Sequence, residues 1–493
     1  MNTDIFIGID MGSTGLKAVA FEGESGCSLA MSGSALPFIR LPGGGCELSA
    51  EAIEAALMQA LRSVASQLGT RVDKVRALSC TGHGAGLYAL DASHRLLRGR
   101  AVASTDQRAS ARAAALAQHR GAELFEEVGC RPWSGQPAPI IVELFGTDAV
   151  QRGEIHHLLF AKDYLSLLLT GEVATEASDV STAGLLSLET GTWSKKALDA
   201  AGLSSLAATA LTPIVPSGSV IGTLLPERAA QCGLPRGLPV AASAIDLLAS
   251  LAAVDAPARG QAVAVLGTWC VNAVVDSVRE PKPAVGGIVN FGVAGKRLYL
   301  ENSPSSMANV AWLARTLQFE SAAQVVDSAM SVPLGAQGLR FLPFINGGSA
   351  PEGATAGFIG LKPHHDRAHM ARAVVDAVAA LHARHLARLS SFDLGARDRV
   401  AALGGGARDP RLVRLIASFL GHPVERCGDD ETGARGAALY AAMSQGARMA
   451  TPVFEVVSHD AQEAEAHADY YDSFHELVDR MTPAFTHLAE VTR

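Results

Sequence analysis

Two strand–turn–strand units set half a chain apart restrict the fold most. Residues Phe6 to Phe21 read FIGIDMGSTGLKAVAF: an apolar run, an acid, two glycines, two hydroxyls, then a second apolar run carrying Lys17. Phosphate cradles of the P-loop and dinucleotide types lead into a helix. Here Leu16, Ala18, Val19, Ala20 and Phe21 end at the turn cluster Glu22-Gly23-Glu24-Ser25-Gly26. The second run is therefore too short for a helix and predicts a strand. The unit reads as a hairpin with small, donor-rich residues at its tip. VAVLGTWCVNAVV, residues 263–275, repeats the pattern. Laying Gly12-Ser13 on Gly267-Thr268 also lays Ala18-Val19 on Ala273-Val274, an offset of 255 residues in a chain of 493. A repeat at that offset predicts two related domains, and strands alternating with helices throughout make them α/β.

The rest of the chain supplies material for such domains. Nearly half the residues are apolar and 18% are charged, a globular balance. The net charge of −8 has no run of like charges, which argues against nucleic acid and anionic membrane as partners. Seven cysteines lie scattered, never in C-x-x-C spacing, which predicts reduced thiols rather than disulfides or zinc. MNTDIFIGID lacks the basic and apolar segments of a signal peptide, and no apolar stretch approaches the roughly 18 to 20 residues of a membrane span. A soluble cytoplasmic protein is expected. Ser49 caps a predicted helix with Ile53, Leu57, Leu61, Val64 and Leu68 at helical spacing, ended by Gly69. Asp409-Pro410 opens another, with Leu412, Leu415, Ile416, Phe419 and Leu420 on one face and Gly421 as its stop. The Pro/Gly-rich residues 215–240 are read as the domain boundary, leading into an Ala-rich helix over 241–253, and this linker and the Asp246 helix are the expected hinge.

Gly404-Gly405-Gly406 follows the strand RVAAL and precedes the helix at Asp409. Amides without side chains at a helix N-terminus suit a phosphate or a flat base, although glycine clusters also make ordinary turns. Taken with the tips Asp10-x-Gly-Ser-Thr and Gly267-Thr268, they predict a nucleotide site in a cleft between domains. Gly12, Ser13, Thr14 and Lys17 would then face the phosphates, and Asp10 would hold Mg²⁺ through waters, because this ion sheds water reluctantly. The alternatives are a turn-capping Asp10 and a Lys17 that lines the sheet edge. His382-x-x-His385 shares a helix face, but no third metal ligand is visible.

The motifs IGIDMGSTGLKA, TGHGAGLYALD, STDQRA, AKDYLSLLLTGEVATEASDVS, AIDLLASLAA, VLGTWCVNA, LPFINGGSAP and LGGGARDPRLVRLIASFLGHPV followed by ETGARGAALYAA stand in this order from Ile5 to about Met443. Together they resemble the FGGY family of carbohydrate kinases, within the actin-like ATPase superfamily, with most similarity to the xylulokinase and L-xylulose kinase branch. The resemblance implies two ribonuclease H-like (actin/hexokinase-type) domains with an inter-domain cleft: a sugar-binding domain over 1–245 and a nucleotide-binding domain over 246–493. It implies a transferase using ATP and Mg²⁺, with phosphate contacts at both tips, Gly404–Gly406 and Arg408, and a homodimer. The glycines and alanines of ETGARGAA would let a helix pack closely over adenine. Asp246 is the matching general base; it also stands alone among Ala, Ile and Leu, where a carboxylate costs free energy unless it is solvated, paired or used. A helix-capping aspartate is the plainer reading of that residue.

The sugar side departs from the xylulokinase pattern. His83-Gly84-Ala85-Gly86 stands where that pattern has Gln-Met-His-Gly, so Gly84 and Ala85 replace the methionine and histidine that touch the ketose. The loss either enlarges the pocket or moves contact to backbone amides and His83. Ser104 replaces a tryptophan, Leu247 an asparagine, while Asp106-Gln107-Arg108 persists as a hydroxyl-binding and pocket-bracing set. Trp133 suits stacking on a sugar face, or ordinary loop packing. The expected substrate is a ketopentose such as L-xylulose or a related xylulose, with erythritol, erythrulose, ribulose or glycerol-like acceptors as alternatives. A chaperone or filament ATPase would share the hairpins but needs no sugar segment.

Overall fold

The computed structural model describes residues 4–12, 15–206, 210–293, 295–347, 353–394, 396–429 and 431–491, so Ser13 and Thr14 lie outside the described residues. The chain forms two compact units. Unit 1 comprises Met1–Asp255, Gly287–Arg297 and Glu431–Thr451; unit 2 comprises Ala256–Gly286, Leu298–Asp430 and Pro452–Arg493. The elements that position the functional residues of unit 1 are β1 (Ile5–Met11), β2 (Gly15–Glu22), β3 (Ser28–Ala35), α1 (Ala50–Leu68), β4 (Val75–Gly82), α2 (Ala161–Thr170), α3 (Ala177–Thr182), β5 (Val220–Thr223), β6 (Pro239–Ala242) and α4 (Asp246–Ala253). Those of unit 2 are β7 (Gln261–Leu266), β8 (Cys270–Ser277), β9 (Lys296–Ser303, from Leu298 on), α5 (Met307–Thr316), α6 (Arg367–Ser391), β10 (Ala396–Leu403), α7 (Pro410–Leu420) and β11 (Val424–Cys427). The chain then returns to unit 1 as α8 (Thr432–Ser444) and closes the sheet of unit 2 with β12 (Phe454–Val457).

Both units repeat one strand plan. Unit 1 orders its sheet β5-β6-β4-β1-β2-β3, and unit 2 runs β9-β8-β7-β10-β11-β12. Each opens with an antiparallel hairpin, β1–β2 or β7–β8. Each adds two parallel strands beside the first, β4 and β6 or β10 and β11, and ends in an antiparallel edge, β5 or β12. In unit 2 the first five of these strands run 3-2-1-4-5, the ribonuclease H-like plan, and unit 1 differs only in that its antiparallel edge β5 precedes β6 in the chain. The repeat seen in the sequence is also metric, since β8 is β2 displaced by the same 255 residues.

Burial on both faces of the sheet explains the apolar runs. Ile5, Ile7 and Ile9 of β1 pack in one cluster with Leu57, Leu61 and Val64 of α1. Alternate strand residues point to opposite faces, so Phe6, with Val19 and Phe21, meets Ala434 and Ala438 of α8 instead. The caps are as expected: Ser49 Oγ accepts the Ala52 amide, Gly69 ends α1, Asp409 caps α7 and Gly421 stops it.

Two readings of the middle of the chain change. Residues 215–240, taken for the boundary, build β5, a short helix (Pro226–Cys232) and the first half of β6 inside unit 1. The helix expected over 241–253 begins at Asp246, because Ala241 and Ala242 pair with Ser79 and Cys80 as strand. Unit 1 extends through Asp255, so α4 and Asp246 belong to it, as does α8. Small residues explain the place of α8. A Cβ on Gly8 would stand 1.7 Å from Ala434 O, and one on Gly436 2.0 Å from Ala249 O. The glycines of ETGARGAA thus let α8 lie against β1 and α4, which corrects their reading as an adenine cover.

Candidate active site

In unit 1 the ends of β1 and β4 and the starts of α4 and α8 bring acids together. Asp10, near the end of β1, pairs with Lys17 across the hairpin and with Thr81 of β4. Its Oδ1 is buried with no hydrogen-bond partner. Burial above all, and then the charge of Glu431, raises its pKa to about 6, against the pull of Lys17. Lys17 Nζ donates to both oxygens of Glu431 at 2.8 and 2.9 Å. Gly433 completes the approach, since a Cβ there would stand 2.3 Å from Asp10 Oδ2. Asp246 is the first residue of α4, half-buried, with Oδ1 accepting the Leu247 amide at 2.6 Å. Burial first, and then the charge of Asp10, raises its pKa to about 7, while the Leu247 amide opposes the rise.

Among the described residues, no group of three or more His, Cys, Asp or Glu side chains can hold a metal by itself. Mg²⁺ keeps several waters and takes one or two carboxylates together with substrate phosphates. The unpartnered Oδ1 of Asp10 fits such a role, with Asp246 as its neighbour in charge.

The loop expected to meet the sugar lies beside Asp246. A Cβ on Gly84 would meet Thr182 Cγ2 at 3.1 Å and Ile245 Cδ1 at 3.3 Å. The room left by the missing side chain is thus filled by these methyl groups rather than opened. Ala85 is fully buried at φ +59°, and its amide donates to Asp179 Oδ1 at 3.1 Å. His83 Nε2 lies 3.3 Å from the Tyr88 hydroxyl, its Nδ1 is buried without a partner, and burial lowers its pKa to about 4. Gly86 donates to Gly135 O at 2.9 Å, which ties this loop to the segment of the half-buried Trp133. Asp106 is buried, and its carboxylate accepts from the Cys46 amide at 2.7 Å and from the Arg108 guanidinium at 2.7 to 3.1 Å. Arg108 also donates to Glu47. The geometry of Asp106 is that of a brace.

Sequence reasoning missed Glu431 and a buried cluster beneath this loop. Lys162 Nζ donates to Asp163 Oδ1 at 2.6 Å and stands 3.7 Å from Asp179 Oδ2, all three fully enclosed. The signal was an ion pair at the head of an apolar helix, AKDYLSLLL.

In unit 2 the other two turns lie together. Gly404, at φ +86°, follows β10, and a Cβ there would stand 3.2 Å from Leu266 O at the end of β7; one on Gly406 would meet Met307 Sδ at 3.0 Å. Gly267 and Thr268 join β7 to β8. One expectation is corrected. The three glycines do not sit at the helix N-terminus, because the 3-10 turn Gly405–Arg408 precedes α7 and the Asp409 carboxylate takes its first amide, that of Arg411. Gly405 remains open and Arg408 exposed.

Comparison with known proteins agrees with this architecture. The N-terminal domain of the FGGY family of carbohydrate kinases matches residues 5–253, and its C-terminal domain matches 262–445. A probable L-xylulose kinase of Pasteurella multocida is 27% identical over 459 residues, covering 92% of this chain and 93% of that protein. The L-xylulose/3-keto-L-gulonate kinase of Escherichia coli K12 is 27% identical over 448 residues, 90% and 89% of the two chains. Among solved structures, a xylulose kinase from Rhodospirillum rubrum superposes with a TM-score of 0.83 at 25% identity, over 98% of this chain and 100% of that one. No helix among the described residues is long and apolar enough to cross a membrane. Two matched domains in order, carried on two copies of one strand plan, identify the chain as an enzyme of the FGGY family of carbohydrate kinases.

Proposed function

We propose that this kinase transfers the terminal phosphoryl group of ATP to a hydroxyl of a small sugar, a ketopentose such as L-xylulose or a related xylulose. The observation that carries the reading is Asp246: a half-buried carboxyl raised to about 7, at a helix start beside the His83–Gly86 loop. An alcohol is far more basic than a carboxylate, so full deprotonation beforehand would be steeply uphill. Phosphoryl transfer passes through a loose transition state, so the base need only orient the hydroxyl and accept its proton late. A proton affinity near neutrality suits that task. Mg²⁺ would supply charge neutralisation to the phosphoryl group, and Asp10, with its unpartnered Oδ1, would be the residue to hold it. The amides of Gly12, Gly267 and Gly404–Gly406, with Lys17 and Arg408, bind the nucleotide; Ser13 and Thr14 join them in this proposal from sequence alone.

His83, with a buried ring nitrogen free of protein partners, is the side chain offered to a sugar hydroxyl. Gly84 and Ala85 shape the wall, Trp133 flanks it, and Asp106 braces it. The relatives named as L-xylulose kinases favour a xylulose. A coupled ADP-release assay with Mg²⁺-ATP across pentuloses, tetruloses and sugar alcohols tests the reading. Strong stimulation by a xylulose supports it; stimulation only by a polyol or tetrulose replaces the substrate, and slow hydrolysis indifferent to every acceptor overturns it.

A further inference from the structure

His382 and His385 of unit 2 lie in a hydrogen-bond chain behind the Gly267–Trp269 turn. His382 of α6 is fully buried, as are Asn272 of β8 and Ser306 before α5. Ser306 Oγ lies 2.9 Å from His382 Nε2, and His382 Nδ1 lies 3.0 Å from Asn272 Oδ1. Asn272 Nδ2 donates onward to His385 Nδ1 at 3.1 Å and to Cys270 Sγ at 3.4 Å. The amide of Asn272 therefore sets every role. Its oxygen accepts from His382 Nδ1–H, which leaves the Nε2 lone pair to accept from the Ser306 hydroxyl. Burial lowers the pKa of both imidazoles to about 3, so they are neutral, as this chain requires.

Ser306 links the chain to the turn. An N-cap serine ordinarily accepts an amide of its own helix, but Ser306 makes no such bond. The turn takes its place. The Met307 amide donates to Gly267 O at 3.0 Å, and the Ser306 and Ala308 amides donate to Thr268 O at 2.9 and 3.4 Å. In a trans peptide the carbonyl and the following amide point oppositely. Holding these two carbonyls against α5 therefore directs the Thr268 and Trp269 amides to the other side of the turn.

We propose that His382 is a positioning residue for nucleotide binding: by holding Ser306 and Asn272 it fixes the orientation of the Thr268 and Trp269 amides. The inference rests on the reading that this turn meets the phosphates of ATP. The test uses the full-length enzyme with His382→Phe, His382→Gln and Ser306→Ala. The phenylalanine fills the space without polar atoms, the glutamine keeps one donor and one acceptor, and the alanine leaves the helix intact. His382→Phe and Ser306→Ala are expected to raise KM for ATP roughly tenfold or more, with sugar KM held within about twofold, and His382→Gln to recover most of the loss. Hydrogen exchange over residues 262–272, with and without a non-hydrolysable ATP analogue, separates the two levels. No protection in the wild type overturns the phosphate-contact reading together with the inference. Protection in the wild type that persists undiminished in His382→Phe and Ser306→Ala, with KM for ATP unchanged, overturns the inference alone.

Discussion

Replacing Asp246 with asparagine should stabilise the protein while nearly abolishing turnover. Its carboxyl is raised from the ordinary 3.8 to about 7, by burial first and by Asp10 second. A group that binds its proton more tightly when folded favours the native state fully below about pH 4, and that contribution is lost as pH rises through about 7. At about 1.4 kcal/mol for each tenfold change in proton affinity, the ionised carboxyl costs at most about 4 kcal/mol, and about 2 once water reaching a half-buried group is allowed for. Asparagine removes the charge and keeps an oxygen for the Leu247 amide, now 2.6 Å from Oδ1. The expected result is a melting temperature about 5 °C higher than wild type at pH 8, with the gap closing towards pH 5. Phosphoryl transfer should meanwhile fall ~10² to 10⁴-fold. Thermal melts of both proteins at the two pH values, with ADP release alongside, make the measurement. A variant that gains nothing at pH 8 refutes the electrostatic argument, and one that keeps a tenth of the turnover removes Asp246 from the role of base.

For the wild-type enzyme, turnover should rise with pH and level off above an inflection near 7, where Asp246 becomes ionised; a flat profile from pH 5.5 to 8.5 contradicts it. Lys17→Met should change stability by no more than about 1 kcal/mol, because its pair with Glu431 is half exposed. It should raise KM for Mg²⁺-ATP more at pH 6 than at pH 8, because Asp10 loses the cation that lowers its pKa; an equal change at both values counts against that coupling. Gly436→Ala would put a methyl 2.0 Å from Ala249 O and push α8 from α4, a loss of about 3 kcal/mol or more that a thermal melt reads directly. An unchanged melt would mean that the two helices do not pack this closely.

The parts of this molecule legible in its sequence are those decided by neighbours along the chain. Whether Leu16 to Phe21 is strand or helix depends on the turn at Glu22–Gly26, and Ser49 and Asp409 sit beside the amides they cap. The parts that were not legible are decided across the chain. Glu431 reaches Lys17 over a separation of 414 residues, and nothing near either residue announces the other. The small residues of ETGARGAA announce close approach but not its object: Gly8, Asp10 and Ala249 are what they approach, and only the returning path of α8 decides that. The same distinction separates the two acids. Asp246 stands out locally as a lone acid in an apolar run, yet its proton affinity also depends on Asp10, 236 residues earlier, and Asp10 in turn feels Glu431. A residue can therefore be named from the motif around it, but its working pKa belongs to the assembled unit. Mutating Asp10 or Glu431 should for that reason move the pH profile of a reaction whose base is Asp246.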